Sequence, residues 1–279
     1  MNNALKSGNT RRGFRTLLGG TARGFPKTDA RVLAKQVRIA LTPRNRLLKA
    51  KLSNGAVVYG TNRPGFGGRG VYLYGDAVEP EFEHLDRFLD ETGVFLDIGA
   101  NTGKYAIKAA KHYNNNGVVI AVEPFVDVLA TLNRSAQANG LHNIRLRNFC
   151  MGEHTSEGTL WLNGGKPHDF SLKQMEGTTQ RISTLTVSLD DLVRWERLDR
   201  LDFLKLDAVG SEDEVLRGGH EAINKYRPII QLQATLTDVS VDLPGYSGFH
   251  AERSTVKFYM PNEHNKIQIP TQLGWHPLT

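Results

Sequence analysis

A chain of 279 residues, 39% hydrophobic and 23% charged, carries enough apolar material for a stable core without covalent staples. Its single cysteine, Cys150, excludes an internal disulfide and points to a reducing compartment. No apolar run approaches the roughly 18 residues of a membrane helix, and the N-terminus lacks the apolar core of a signal peptide, so a cytoplasmic protein without a transmembrane segment is expected. The net charge of +6 is unevenly placed: residues 1–51 hold 13 Lys/Arg against one acid, Asp29, leaving 22 basic and 28 acidic residues in the remainder. The chain is therefore an acidic body with a basic N-terminal segment.

Residues 1–28 mix Gly, Arg, Ser and Thr with little apolar surface and are expected to form a flexible basic tail. "DARVLAKQVRIAL" spaces Val32, Leu33, Val37, Ala40 and Leu41 as one helical stripe, with Arg31, Lys35 and Arg38 outside it. Asp29 is a suitable N-cap and Pro43 lies just past the end. Residues 29–51 are read as a basic helix and linker, the helix docked on the chain's own body. "AKLSNGAVVYG" predicts strand, Asn-Gly turn, strand, and "GRGVYLYG" a further strand. "EPEFEHLDRFLDE" predicts a helix with Phe82, Leu85, Phe88 and Leu89 on one face. Residues 52–93 thus form a small cap of strands and helix.

From Val94 to the end at Thr279, strands and helices alternate. "VFLDIGA", "GVVIAVEP", "NIRLRNFCMG", "LDFLKLDAVG" and "RPIIQLQAT" read as strands, with "GKYAIKAAKHYN", "FVDVLATLNRSAQANG" and "SEDEVLRGGHEAINKY" as helices between them. "GTLWLN" and "RISTLTVSLDDLV" interrupt the alternation around a polar loop. "STVKFYMP" and "KIQIP" are expected to close the fold as antiparallel strands. The pattern predicts an α/β fold with a mostly parallel sheet and helices on both faces.

Ligands of such sheets sit beyond the carboxyl ends of the strands. The turn after the first strand of the alternation carries Asp97, Gly99, Asn101 and Gly103, and Gly99 and Gly103 are expected to allow a sharp turn and a close ligand. The dinucleotide fingerprint G-x-G-x-x-G fails because Asn101 occupies the place of its middle glycine, and no P-loop occurs. Asp97 before the turn suits a ligand with an ammonium or sulfonium better than a phosphate. Glu123, at the end of "VVIAVEP", stands where an acid can accept from both ribose hydroxyls of an adenosine ligand. S-adenosylmethionine carries all of these groups.

In "LDIGANTGKYAI", "AVEP", "TVSLDDLV" and "LDFLKLDAVGSEDEVLRGG" the chain resembles the FkbM family of S-adenosylmethionine-dependent methyltransferases, over about residues 52–234. The resemblance implies the Rossmann-like class I methyltransferase fold and, commonly, O-methylation of sugars, lipids or natural products. It implies that Asp97, Gly99, Asn101 and Gly103 cradle the methionine end and sugar of the cofactor. It places Glu123 on the ribose diol, Cys150, Met151 and Gly152 near the adenine, and Glu79 near the cofactor. The sequence departs from the family at "KLDAVGSE", where Val209 replaces a usual glutamate, and at Gln233, where relatives often have an acid.

Strand alternation puts Lys205 and Asp207 on one face, with Asp207 at the carboxyl end as base or acceptor-orienting group. Lys205 is read as catalytic beside it; the alternative is that Asp207 caps the following turn and Lys205 is its partly buried counter-charge. No cluster has metal-ligand spacing, and a Mg²⁺ near Asp207 is not expected without a glutamate at position 209. The expected partner is a small-molecule hydroxyl acceptor. A nucleic acid docked through residues 1–51 is the second, less favoured reading, and a catalytically impaired cofactor-binding relic the third.

Overall fold

The structure is a computed structural model and describes residues 30–64, 67–162, 170–172, 180–233, 243–252 and 254–278. The expected basic tail and most of the polar loop after "GTLWLN" lie outside the described residues. Helix α1 (Ala30–Leu41) leads into the hairpin β1 (Leu47–Lys51) and β2 (Val57–Thr61), closed by the Asn54–Gly55 turn with Gly55 at φ 82°. Helix α2 (Gly68–Tyr74) and the short α3 (Pro80–Glu83) complete the cap.

The body is built from β3 (Val94–Ile98), α4 (Lys104–His112), β4 (Val118–Val122), α5 (Val126–Ala138) and β5 (Ile144–Arg147). It continues after an inserted sheet with α6 (Leu189–Trp195), β10 (Phe203–Leu206), α7 (Glu212–Arg217), α8 (His220–Tyr226) and β11 (Ile229–Gln233). The closing elements are β12 (Tyr246–His250), β13 (Val256–Pro261), α9 (Ile269–Gln272) and β14 (His276–Pro277). In the main sheet the strand order is β14-β12-β13-β11-β10-β3-β4-β5, with β11, β10, β3, β4 and β5 parallel. This is the expected α/β fold. Both faces are buried: Phe95, Phe203 and Phe258 pack under α4 and the cap, and Leu96, Leu204 and Ile230 pack against α6 to α8. Such two-sided burial is why these strands read as continuous apolar runs. The inserted sheet has β6 (Cys150–Gly152), β7 (Ser156–Leu162), β8 (Phe170–Ser171) and β9 (Gln180–Ser188), in the order β6-β9-β7-β8.

Several local expectations are corrected. Residues 68–74 are a helix, not a strand. Gly67 at φ 71° starts it, and Gly68 lies so close to Gly60 that a Cβ there would sit 2.6 Å from its carbonyl carbon. Tertiary packing thus overrides the β-propensity of Val-Tyr-Leu-Tyr. The single helix expected over residues 79–91 is broken, although Phe82, Leu85, Phe88 and Leu89 are all buried. Lys108 Nζ takes the carbonyls of Phe82 (2.7 Å) and Glu83 (3.0 Å), which a continuous helix would have needed.

"NIRLRNFCMG" is divided between the two sheets. Asn148 Nδ2 donates to the carbonyls of Glu123 (3.0 Å) and Pro124 (2.8 Å) and turns the chain between β5 and β6. The helix over 211–226 breaks at Gly218–Gly219, where a Cβ on Gly218 would lie 2.5 Å from Gly152 O. "KIQIP" enters α9 at Ile269 rather than forming a strand, and β12 and β14 supply the extra edge pairing. Finally, the α1 stripe does not dock. Ile39 is buried and Val32 packs beside it, whereas Leu33, Val37 and Leu41 face solvent. Among the described residues no helix is long and apolar enough to cross a membrane.

Candidate active site

The corner after β3 turns back between the ends of its two neighbours. The N–H groups of Gly99 and Ala100 both donate to Val122 O at 3.0 Å. Gly99 has φ 69°, and a Cβ there would stand 1.9 Å from Asp207 O. Gly103, at φ 77°, starts α4, and its Cβ would meet Leu132 at 2.3 Å. Both glycines are thus required by the protein's own packing, rather than by a ligand alone. Asn101 between them has φ 49°, a conformation asparagine tolerates better than most residues.

Asp97, Lys205 and Gln231 lie opposite one another across β3, β10 and β11, on one face of the sheet. Asp97 is fully buried; its Oδ2 accepts from Ala106 N–H (3.1 Å) in the first turn of α4, and its Oδ1 stands 3.1 Å from Lys205 Nζ. Lys205 also donates to the carbonyls of Gly99 (2.7 Å) and Ile98 (3.2 Å). Burial opposes its charge, but the carboxylates of Asp97 and Asp207 outweigh burial and raise its pKa. The charge of Asp97 is therefore met by an internal lysine, where the sequence had suggested a cationic ligand.

The polar row continues to the expected Glu79 through Gln231, Tyr105 and Lys104, which sequence reasoning missed. Gln231 Nε2 donates to Tyr105 Oη (2.7 Å), and Tyr105 donates to Glu79 Oε2 (2.8 Å), whose other oxygen pairs with Lys104. Burial works against the charge of Glu79, but Lys104 and Tyr105 hold it below the usual glutamate range. Glu81 beside it is 1% exposed, and burial pushes it up to about 7 although the Ser254 hydroxyl pulls the other way. The available signal was a glutamine inside the apolar run "IIQLQ". Its partner across the sheet was not readable.

Glu123 closes the corner from the other side. It is 3% exposed, with Oε2 accepting from Asn101 N–H (2.9 Å) and Oε1 from Phe125 N–H (3.0 Å). Burial raises its pKa to about 7 despite these two donors. Each oxygen keeps a lone pair free for another donor.

Between the ends of β3, β4 and β10 lies a cleft whose walls include Ile98, Val122, Phe149, Met151 and Leu160, with Gly99 at its base. Asp207 lines it with its side chain 29% exposed, and Lys205 Nζ is 3.9 Å away. Burial raises the pKa of Asp207, while Lys205 works in the opposite direction. Ser211 also lines the cleft, and its buried Oγ has no hydrogen-bond partner. Val209, between Asp207 and Ser211, has φ 31°, an outlier for a β-branched residue. Of the sequence candidates, Gly99, Cys150, Met151 and Asp207 line this cleft. Asn101, Gly103 and Glu123 frame the adjoining corner, while Asp97, Lys205 and Glu79 belong to the polar row. Gln233 ends β11 outside that row. Among the described residues no group of three or more His, Cys, Asp or Glu is arranged to hold a metal ion.

The sequence model of the methyltransferase FkbM domain matches residues 97–256, more than half of the chain. No curated protein matches the chain. Among solved structures, the methyltransferase FkbM of Methylobacillus flagellatus KT is 21% identical over 69% of this chain and 53% of its own, with a TM-score of 0.43. The chain thus spans about half the length of that protein. A precorrin-6y C5,15-methyltransferase of Geobacter metallireducens GS-15 is 16% identical over 64% of this chain and 84% of its own, at TM-score 0.39. M. capricolum TrmK, solved with S-adenosylhomocysteine, is 13% identical over 64% of this chain and 65% of its own, at TM-score 0.36.

Proposed function

The chain belongs to the FkbM methyltransferase family, and from that premise we propose that it moves the methyl group of S-adenosylmethionine to a hydroxyl of a sugar, lipid or natural-product acceptor. The observation that carries the reading is the junction of the cleft with the Gly99–Gly103 corner. An apolar slot, the buried Glu123 with free acceptor capacity and the half-buried Asp207 carboxylate meet at the carboxyl ends of three adjacent strands. The residues fit the cofactor. Ile98, Val122, Phe149 and Met151 offer apolar walls for a flat base, the unpartnered Ser211 Oγ suits its polar edge, and Glu123 retains acceptor capacity for a diol.

When bound, S-adenosylmethionine supplies a methyl group on a positively charged sulfur. The chain itself must hold the acceptor oxygen in line with that methyl and receive the hydroxyl proton. Asp207 is placed to receive the proton, because it is the carboxylate lining the cleft and the burial that raises its pKa makes it a better base. Lys205 positions Asp207 from beneath and ties it to the backbone of Ile98 and Gly99. Glu79 and Lys104 neutralise one another beside this group.

Isothermal calorimetry with S-adenosylhomocysteine tests the reading. Saturable binding is expected, weakened more than tenfold by Glu123→Ala, because hydrogen bonds to a charged group are worth about 1.5–3 kcal/mol. Absence of binding by the wild type at high micromolar ligand would contradict it.

A further inference from the structure

The stripe on α1 is real, but the body does not use it. Lys35 Nζ donates to Leu73 O (3.0 Å), Asn62 Nδ2 donates to Ile39 O (2.9 Å) and Thr42 O (2.7 Å), and Ile39 is buried with Leu48 and Leu73. These contacts fix the rotation of the helix. With that rotation, Leu33, Val37 and Leu41, one turn apart, are 55%, 52% and 80% exposed. Ala30, Ala34 and Ala40 are exposed on the same arc, and Arg38 is exposed at its border. Arg44, Arg46 and Lys49, beyond the helix, are exposed as well. The segment that contains them holds 13 Lys/Arg and one acid over residues 1–51.

We propose that α1 is an in-plane docking helix for an anionic lipid bilayer. An apolar arc bordered by arginine is what an interfacial helix requires. The aliphatic side chains enter the acyl boundary while the cations meet acidic headgroups. The charge argues against other occupants. A nucleic acid would satisfy the cations but leave Leu33, Val37 and Leu41 in water. A second copy packed stripe to stripe would bring two sets of Arg38, Arg44 and Arg46 face to face. The cap also abuts the candidate site: a Cβ on Gly67 would lie 2.8 Å from Asn101 Oδ1, and one on Gly60 would lie 3.3 Å from Thr102 Cγ2. Docking through α1 does not depend on the methyl-transfer reading.

Co-sedimentation of the full chain with phosphatidylcholine vesicles, with and without phosphatidylglycerol, tests it. Binding to the anionic vesicles is expected, at least tenfold weaker on neutral ones and reduced by added salt. The double variant V37D/L41D should lose at least tenfold in affinity for anionic vesicles, with its thermal unfolding unchanged because both side chains are exposed. Unchanged vesicle binding by V37D/L41D would overturn the proposal, since charge alone would then account for it. A second readout is independent of that variant. Cys150, the one native cysteine, is buried, so V37C can be labelled selectively with an environment-sensitive dye. Its emission should shift to the blue on anionic vesicles, while a label at K225C on the far side of the sheet should not shift. No shift at position 37 in the vesicle-bound protein would overturn the proposal. So would tighter binding to single-stranded RNA than to vesicles, or self-association in solution that V37D abolishes.

Discussion

Two regions meet at the carboxyl ends of β3 and β10, and they handle charge in opposite ways. Beneath the corner, Asp97, Lys205, Gln231, Tyr105, Glu79 and Lys104 form a row in which the charges are paired within the protein, although Asp97 Oδ1 and Gln231 Oε1 accept no hydrogen bond. Beyond the corner, the cleft is mostly apolar and presents Asp207 to whatever enters, with the buried, unpartnered Ser211 hydroxyl in its wall. The row sets where the strand ends and the glycine turn stand. The cleft is left with unused binding capacity. A buried ion is therefore a poor marker of a ligand here; a polar atom left unmatched beside an apolar wall is a better one.

The largest effect that can break this contrast is at Lys205. Lys205→Met strands Asp97 without its counter-charge and should cost about 3–5 kcal/mol of stability, read from urea unfolding. A variant as stable as the wild type would remove Lys205 from the architecture and return Asp97 to the role of ligand counter-charge. Glu81 sharpens the comparison from the other side, as the carboxyl of the polar neighbourhood that burial pushes up to about 7. Its folded pKa of about 7 lies above the unfolded value, so its contribution is a penalty. That penalty is absent below the unfolded pKa, grows as pH rises towards 7, and is complete above it. Glu81→Gln should therefore gain about 1–3 kcal/mol relative to wild type above pH 7 and nothing at about pH 4, measured by unfolding at the two values. An equal difference at both would place Glu81 in an ordinary solvated setting. The smallest effect is at the cleft rim. Val209→Asn relieves a β-branched residue at positive φ and should raise stability by up to about 1 kcal/mol, as a higher melting temperature.

How much of this was legible follows the range of the interactions. The corner was readable because Asp97, Gly99, Asn101, Gly103 and Glu123 sit at strand ends that local apolar runs define. The α1 stripe was readable from its spacing, but which side of the helix packs was decided by Lys35 and Asn62 reaching Leu73, Ile39 and Thr42. The sequence at 68–75 has the composition of a strand and becomes a helix because Gly60 and Gly68 need close contact. Gln231 and Tyr105 are 126 residues apart, and their hydrogen bond depends on strand register and helix placement that no local pattern encodes. The Val209 and Gln233 departures were readable as substitutions; only the backbone shows that position 209 is also strained.

The central claim is that the cleft seats an adenosyl ligand whose hydroxyls rest on Glu123. The most direct test is the dissociation constant of S-adenosylhomocysteine for wild type and Glu123→Gln, measured across neutral pH. The ionised Glu123 accepts with both oxygens, so wild-type affinity should tighten as pH rises through about 7. The Gln variant should bind at least tenfold more weakly above that pH and show no such step. Equal affinities with the same pH profile for both proteins would contradict the account.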